Sequence, residues 1–472
     1  MNDRLSPIET IMWRVGQDTT LRMAVGALVL LGEAPTAAAL RERVASVAQA
    51  APLRRLPDDP TFAWGRPAWI DDPDPDVDHH LRSAGVAAPG SLRQVLDTVG
   101  LLEAIPFDPE RPPWDVTLIE GLEGGRAALY VRAHHVITDG VGGIRLMGLL
   151  FDDEPGPVTG KVEPPPVGAG EPEPEPEPDG GRRPGTVTID LTKAARPLAV
   201  GINAVRQVET LDLVARGLQR ALDVANSVSR QVVVTGGPLS PLPPGRSMTS
   251  RFEVISFPNA KHAAIEMGGS RNDLLVAVAA GGLGRYHERL GQPTAELRLA
   301  TPVRQRRGDD AGGNWFAPAR VAVPTATGRP GRQFSVIADR LAQARREPAL
   351  RVTAALASTI GRLPTRVLLP ALHVQADSVD FAATSLPGLR GSRTICGSTV
   401  EATYPFGPRL GCPVNLTAFG NGDRLDVGIA LDPTAITDPD LLLECIHDAF
   451  SAFAPAPLAS PKGSRAKNVA EK

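Results

Sequence analysis

Residues 163–185 read EPPPVGAGEPEPEPEPDGGRRPG, and no other stretch restricts the fold as much. Proline locks φ and lacks an amide donor. Alternating Glu-Pro therefore forms neither a helix interior nor a central strand, and extends as polyproline II. The chain on either side must fold as blocks joined by a disordered or semi-rigid linker. This predicts a first lobe over 1–153, a linker over 154–186, a bridging helix and second lobe over 187–458, and a flexible tail over 459–472. The alternative is a decorated surface loop inside one domain.

A chain of 472 residues is long enough for two cores, and 42% hydrophobic with 22% charged residues is a globular balance. A net charge of −3 gives no basic field for nucleic acid. Cys396, Cys412 and Cys445 are few, odd in number and lack CxxC spacing, which predicts a reducing compartment with no disulfide framework and no zinc site. MNDRLSPIETIMWRV lacks the pattern of a signal peptide. The apolar run MAVGALVLLG (23–32) is far short of the ~20 residues that span a bilayer, so it reads as a buried strand. The protein is expected to be cytoplasmic, and to lie on a membrane if it meets one.

In LSPIE, Ser6 caps a helix, Pro7 takes its first position and Glu9 completes a capping box. Apolar spacing predicts helices over 36–50 and 91–105, and strands 114–120 and 126–134 joined by a turn at Gly124-Gly125. The acidic, proline-broken DDPDPDVDHHLRS reads as loop or irregular edge, and GVGGIRLMGLLFDD returns to helix. After the linker, 187–226 has helical spacing. Strands follow at 250–257, 296–303 and 425–432, with helices at 271–291, 332–347 and 438–453. The two halves run loosely parallel, as two related α/β lobes would.

RAHHVITDGVGG (132–143) carries the chemistry. The chain has only 8 histidines, and a second doublet, His79-His80, shows that adjacency alone means little. Here the pair ends a strand and is followed by Asp139-Gly140 at the start of a helix. Strand alternation sends neighbouring side chains to opposite faces, so His134 and His135 cannot share one job. One can meet a cleft while the other joins the scaffold. A neutral imidazole suits proton removal from a hydroxyl or amine near neutrality. Asp139 is placed to cap the helix or pair with an arginine, and Gly140 permits a tight turn. No third histidine or cysteine lies nearby, so a metal is not expected.

HHVITDG matches HHxxxDG, the signature of acyltransferases related to chloramphenicol acetyltransferase and peptide-synthetase condensation domains. That motif marks only the superfamily. An ordered series is more specific: LSPIE, RPPWDVTLIEGLEGGRAALYVRAHHVITDGVGG, RNDLLVAVAAGGLGRY, TPVRQRRGDDAGGNWFAPARVAVPT, TSLPGLRG and DPTAITDPDLLLECIHDAF. With these blocks the chain resembles the bacterial wax ester synthase/diacylglycerol acyltransferase (WS/DGAT) family from end to end. It departs from the family pattern at Pro113 before Trp114, at Thr384–Gly388, where an asparagine is missing, and at Arg304 in place of serine.

The resemblance implies an α/β (α+β) fold of two chloramphenicol-acetyltransferase-like lobes with a channel between them. It makes His135 the general base and leaves His134, Asp139 and Gly140 to shape the loop, Asp139 pairing with Arg306 or, in competition, Arg304. Asn272 and Asp273 line the channel or brace the lobes; helix capping by Asn272, with Asp273 in the first turn, is the plainer reading. Trp114 is a channel wall or, more simply, a core aromatic. GGLG (281–284) follows no strand, so it reads as close helix packing and not as a phosphate loop. The implied substrates are acyl-CoA and a lipophilic alcohol, diacylglycerol or a fatty alcohol. No cofactor, metal or nucleic acid is implied, and the location is peripheral to the inner membrane face or lipid droplets. The alternatives are another alcohol or amine acceptor, or a weakly active lipid-binding paralogue.

Overall fold

The computed structural model describes residues 4–59, 65–138, 140–152, 239–304, 316–326, 328–346, 365–388 and 393–453. The expected linker, the 187–226 helix and the tail lie outside them.

The chain opens with α1 (Pro7–Gly16), which has the expected box: Ser6 Oγ accepts from Glu9 N–H at 3.2 Å and the Glu9 carboxylate accepts from Ser6 N–H at 2.7 Å. Then come β1 (Ala24–Leu31), α2 (Ala37–Ala48), β2 (Arg55–Asp58) and β3 (Ala68–Asp71). The acidic segment is more regular than its prolines suggest. Asp76 caps a short α3 (Val77–His80), which leads into β4 (Leu81–Gly85). Next are α4 (Leu92–Ala104), β5 (Trp114–Glu120), β6 (Ala127–His134) and α5 (Gly140–Gly148). The β5–β6 connection turns through Gly124 and Gly125, both at positive φ.

The second half contains β7 (Arg251–Phe257), α6 (Ala260–Glu266), α7 (Arg271–Arg289), β8 (Glu296–Arg304), β9 (Phe316–Pro324), α8 (Pro330–Arg345) and α9 (Thr365–Asp377). It continues with β10 (Phe381–Pro387), β11 (Thr394–Ile395), β12 (Ser398–Phe406), β13 (Val414–Asn421), β14 (Arg424–Leu431) and α10 (Pro439–Phe453).

Two six-stranded mixed sheets result, ordered β11-β12-β1-β6-β5-β4 and β7-β14-β13-β10-β8-β9. The lobes are therefore not two consecutive stretches of chain. A division at the linker puts all of 187–458 in the second lobe, yet β11 and β12 cross back, and β12 pairs antiparallel with β1. Cross-strand pairing between residues so far apart leaves no local sequence pattern.

β1 is apolar along its length because both faces of the first sheet are covered. Val29 and Leu31 join a core with Val44 and Ile144, while Leu28 and Leu30 join Val95, Phe252 and Phe406. That second cluster is the lobe interface. On β14, Val427 and Ile429 enter the large second-lobe core, and Ala430 enters the shared one. Gly428 faces β12 so closely that a Cβ there would overlap the Pro405 carbonyl. Arg93 on α4 and Glu253 on β7 add an ion pair across the lobes at 2.5 Å. The GGLG reading holds: a Cβ on Gly282 would lie 2.7 Å from Ile446 of α10. Among the described residues no helix is long and apolar enough to cross a membrane.

Candidate active site

β6 ends at His134, whose N–H donates to the Pro113 carbonyl at 2.8 Å and whose carbonyl accepts from Ile137 N–H at 3.0 Å. The next residue is tied elsewhere: His135 N–H donates to the Met23 carbonyl, beside β1, at 2.8 Å. The loop is thus stitched to the residues that lead into β1 and β5, each of the two histidines through its own backbone.

His134 is turned inward and only 5% exposed. Trp13 of α1 meets its ring edge-on at 5.3 Å and Phe107 at 6.4 Å. A Cβ on Gly16 would overlap Nε2, so glycine at the end of α1 admits the ring. Nδ1 accepts from Val136 N–H at 3.1 Å, which assigns the remaining proton to Nε2. Burial, and secondarily the neighbouring His135, push its pKa down to about 3. His134 stays neutral near neutrality and cannot cycle a proton there. His135, the first residue past the strand, is half-buried.

Behind His134 lies a buried charge. Arg132, two residues back on β6, is 1% exposed and pairs with Asp115 of β5 through Nε at 3.0 Å and Nη2 at 2.7 Å. Its Nη1 donates to the carbonyls of Leu102 and Ile105 at 2.6 and 2.7 Å, capping the C-terminus of α4. The guanidinium also sits 4.5 Å over the ring of Phe107, the same ring that abuts His134. Asp115, Arg132, Phe107 and His134 therefore form one contiguous support. Arginine inside the apolar strand AALYVRAH was its only sequence signal. Trp13, Gly16 and Phe107 carry none that links them to the motif.

The second lobe closes against the far end of the loop. Gly140 starts α5, and a Cβ there would lie 2.9 Å from a Leu386 methyl at the end of β10. Asn272 Oδ1 accepts from Ser385 N–H on the same strand at 3.1 Å. Asn272 thus ties α7 to β10 within the second lobe and is not the helix cap: Ser270 caps α7, with Asp273 closing the box. Asp273 also pairs with Arg345 at 3.0 Å. Trp114 is a core residue. Its Nε1 donates to Leu53 O at 2.9 Å and its ring stacks on buried His80 at 4.1 Å. Asp139 and Arg306 lie outside the described residues, as does the Arg304 side chain.

The wax ester synthase/diacylglycerol acyltransferase catalytic domain profile matches residues 5–275, and the WS/DGAT C-terminal domain profile matches 312–453. A Mycobacterium tuberculosis H37Rv protein, provisionally named a diacylglycerol O-acyltransferase, is 31% identical over 474 residues, covering 98% of this chain and 94% of its own. The wax ester synthase/diacylglycerol acyltransferase from Marinobacter aquaeolei VT8 has the same fold, with a TM-score of 0.61, 19% identity, and 95% and 98% of the two chains covered. The first condensation domain of the calcium-dependent antibiotic synthetase gives 0.57 at 15% identity, covering 96% and 97%. The fold is accordingly two chloramphenicol-acetyltransferase-like lobes. On the profile matches and the near full-length relative, the chain belongs to the wax ester synthase/diacylglycerol acyltransferase family of acyltransferases.

Proposed function

We propose that this acyltransferase moves a long-chain acyl group from acyl-CoA to diacylglycerol, giving triacylglycerol, or to a fatty alcohol, giving a wax ester, with His135 as general base. The observation that carries this reading is the asymmetry of the histidine pair: His134 is buried and held neutral, and the half-buried His135 is the imidazole left to work. His135 takes the acceptor hydroxyl proton as the oxygen attacks the thioester carbonyl. The tetrahedral oxyanion collapses, the C–S bond breaks, and the imidazolium returns its proton to the departing thiolate. The route needs no covalent enzyme intermediate and no cofactor.

The relative named for diacylglycerol favours that acceptor. Insoluble acceptors call for a lipid surface. Leu101 on α4 and Met248, 72% and 62% exposed, are apolar side chains suited to one. Met248 and Ala104 line a cleft between the lobes.

The test is CoA release from palmitoyl-CoA with diacylglycerol, hexadecanol or no acceptor, in wild type and His135→Ala. Acceptor-dependent release that falls roughly 10²- to 10⁴-fold in the variant is expected. No release above the variant with either alcohol would overturn the neutral-lipid reading and direct the search to other alcohols or amines.

A further inference from the structure

A second cleft, of about 50 Å³, opens between the lobes beneath α5. Ile144, Met147 and Phe151 line it at helical spacing, so they form a stripe running from the histidine loop toward the end of the helix. Arg393 stands at that end, its guanidinium 5.2 Å from the Phe151 ring.

The charges of this cleft do not cancel. Asp426 pairs with Arg424 at 2.7 Å, and Glu401 with Arg126 at 3.5 Å. Each carboxylate thus has a cation of its own. Arg393 has none: its Nε is buried without a hydrogen-bond partner, and no carboxylate among the described residues pairs with it. An arginine is charged at any physiological pH, and its planar fork matches phosphate oxygens. An uncompensated, part-buried guanidinium on an aromatic face is a site prepared for an anion.

Resting on the acyl-CoA reading above, we infer that Arg393 holds a phosphate of the coenzyme A portion of the donor. α5 rises roughly 13 Å over its length, so the thioester end of the donor at the histidine loop and the phosphate end at Arg393 are separated by a distance that an extended pantetheine arm spans. The apolar stripe lies along that path.

The test is binding of free CoA to the full chain by calorimetry, in wild type, Arg393→Gln and Arg393→Lys, alongside turnover of palmitoyl-CoA and of the phosphate-free S-palmitoyl-N-acetylcysteamine. Arg393→Gln should weaken CoA binding and raise KM for palmitoyl-CoA roughly tenfold or more. Its kcat and its turnover of the phosphate-free thioester should stay unchanged, and Arg393→Lys, which keeps the charge but not the planar fork, should recover only part of the loss. Wild-type CoA affinity in Arg393→Gln, equal slowing of both thioesters, or Arg393-dependent binding of phosphatidate vesicles with CoA affinity unmoved would each overturn the assignment. Arg393-dependent CoA binding without acyl transfer would instead overturn the proposed reaction and leave this site standing. An unchanged melting temperature in Arg393→Gln separates binding from folding.

Discussion

The middle strands of the two sheets treat charge differently. β6, in the middle of the first, carries Arg132, paired across the ladder with Asp115 of β5. β10 and β13, in the middle of the second, carry no charged side chain, and the core over them is one apolar cluster filled by α7 and α10. Both strand sets border the candidate site, but with different tasks. β6 must aim an imidazole, and directional bonds fix an aim. β10 only walls the loop, and packing suffices for a wall.

The hardest blow to this contrast is Asp115→Ala, which leaves Arg132 buried without its partner. We expect a loss of about 3–5 kcal/mol in urea unfolding. Replacing the pair together, Asp115→Leu with Arg132→Met, should recover much of that stability but not acyl transfer. Full activity in the double variant would show that the pair does not aim the loop.

The pH dependence is of similar or smaller size. Unfolded, His134 protonates near pH 6.5; folded, only near about 3. Above 6.5 both states are neutral and its contribution is fully present. As pH falls through this window the unfolded chain takes up a proton that the folded one refuses, and stability drops by a few kcal/mol. His134→Gln should flatten the difference in unfolding midpoint between pH 7 and pH 4. Burial also lowers His287 in the second lobe, so His287→Gln acts in the same direction. A steeper profile in either variant would contradict the burial argument.

Packing in the second lobe is probed by Gly282→Val, whose Cβ would meet Ile446 Cγ1 at 2.7 Å and its Cα at 2.8 Å. Overpacking should cost about 1–3 kcal/mol by thermal or chemical unfolding. A neutral result would mean that α7 and α10 are free to separate. The smallest effect is expected from Asn272→Ala, which removes one bond to Ser385 N–H: about 1 kcal/mol, with far less lost activity than in His135→Ala. Equal losses of turnover would make Asn272 a substrate contact instead of a tie between α7 and β10.

Local signals were legible where the physics is local. The Ser6–Glu9 box, the β5–β6 hairpin and the α10 periodicity follow from neighbouring residues, and all three form. β9, β10 and β12 each contain a proline, and β4, LRSAG, has no apolar alternation, so none announces itself as a strand. Alternation predicted different jobs for the two histidines, but not which of them is buried. Trp13, Gly16 and Phe107 decide that, and they arrive from distant segments. The S-x-x-D spacing in SRND is the local signal for Ser270 as the cap of α7.

The return of β12 to the first sheet has a cost in time. On the ribosome β1 and β6 emerge early, while the strand that covers the other edge of β1 follows only after some 370 further residues. At ~5–20 residues per second that is roughly twenty seconds to over a minute. Throughout that interval AVGALVLL is an open, apolar sheet edge, the kind that recruits strands from other chains. The nascent protein is thus most exposed to misassembly while its histidine-bearing sheet is half built, and slow translation through the second lobe lengthens the exposure.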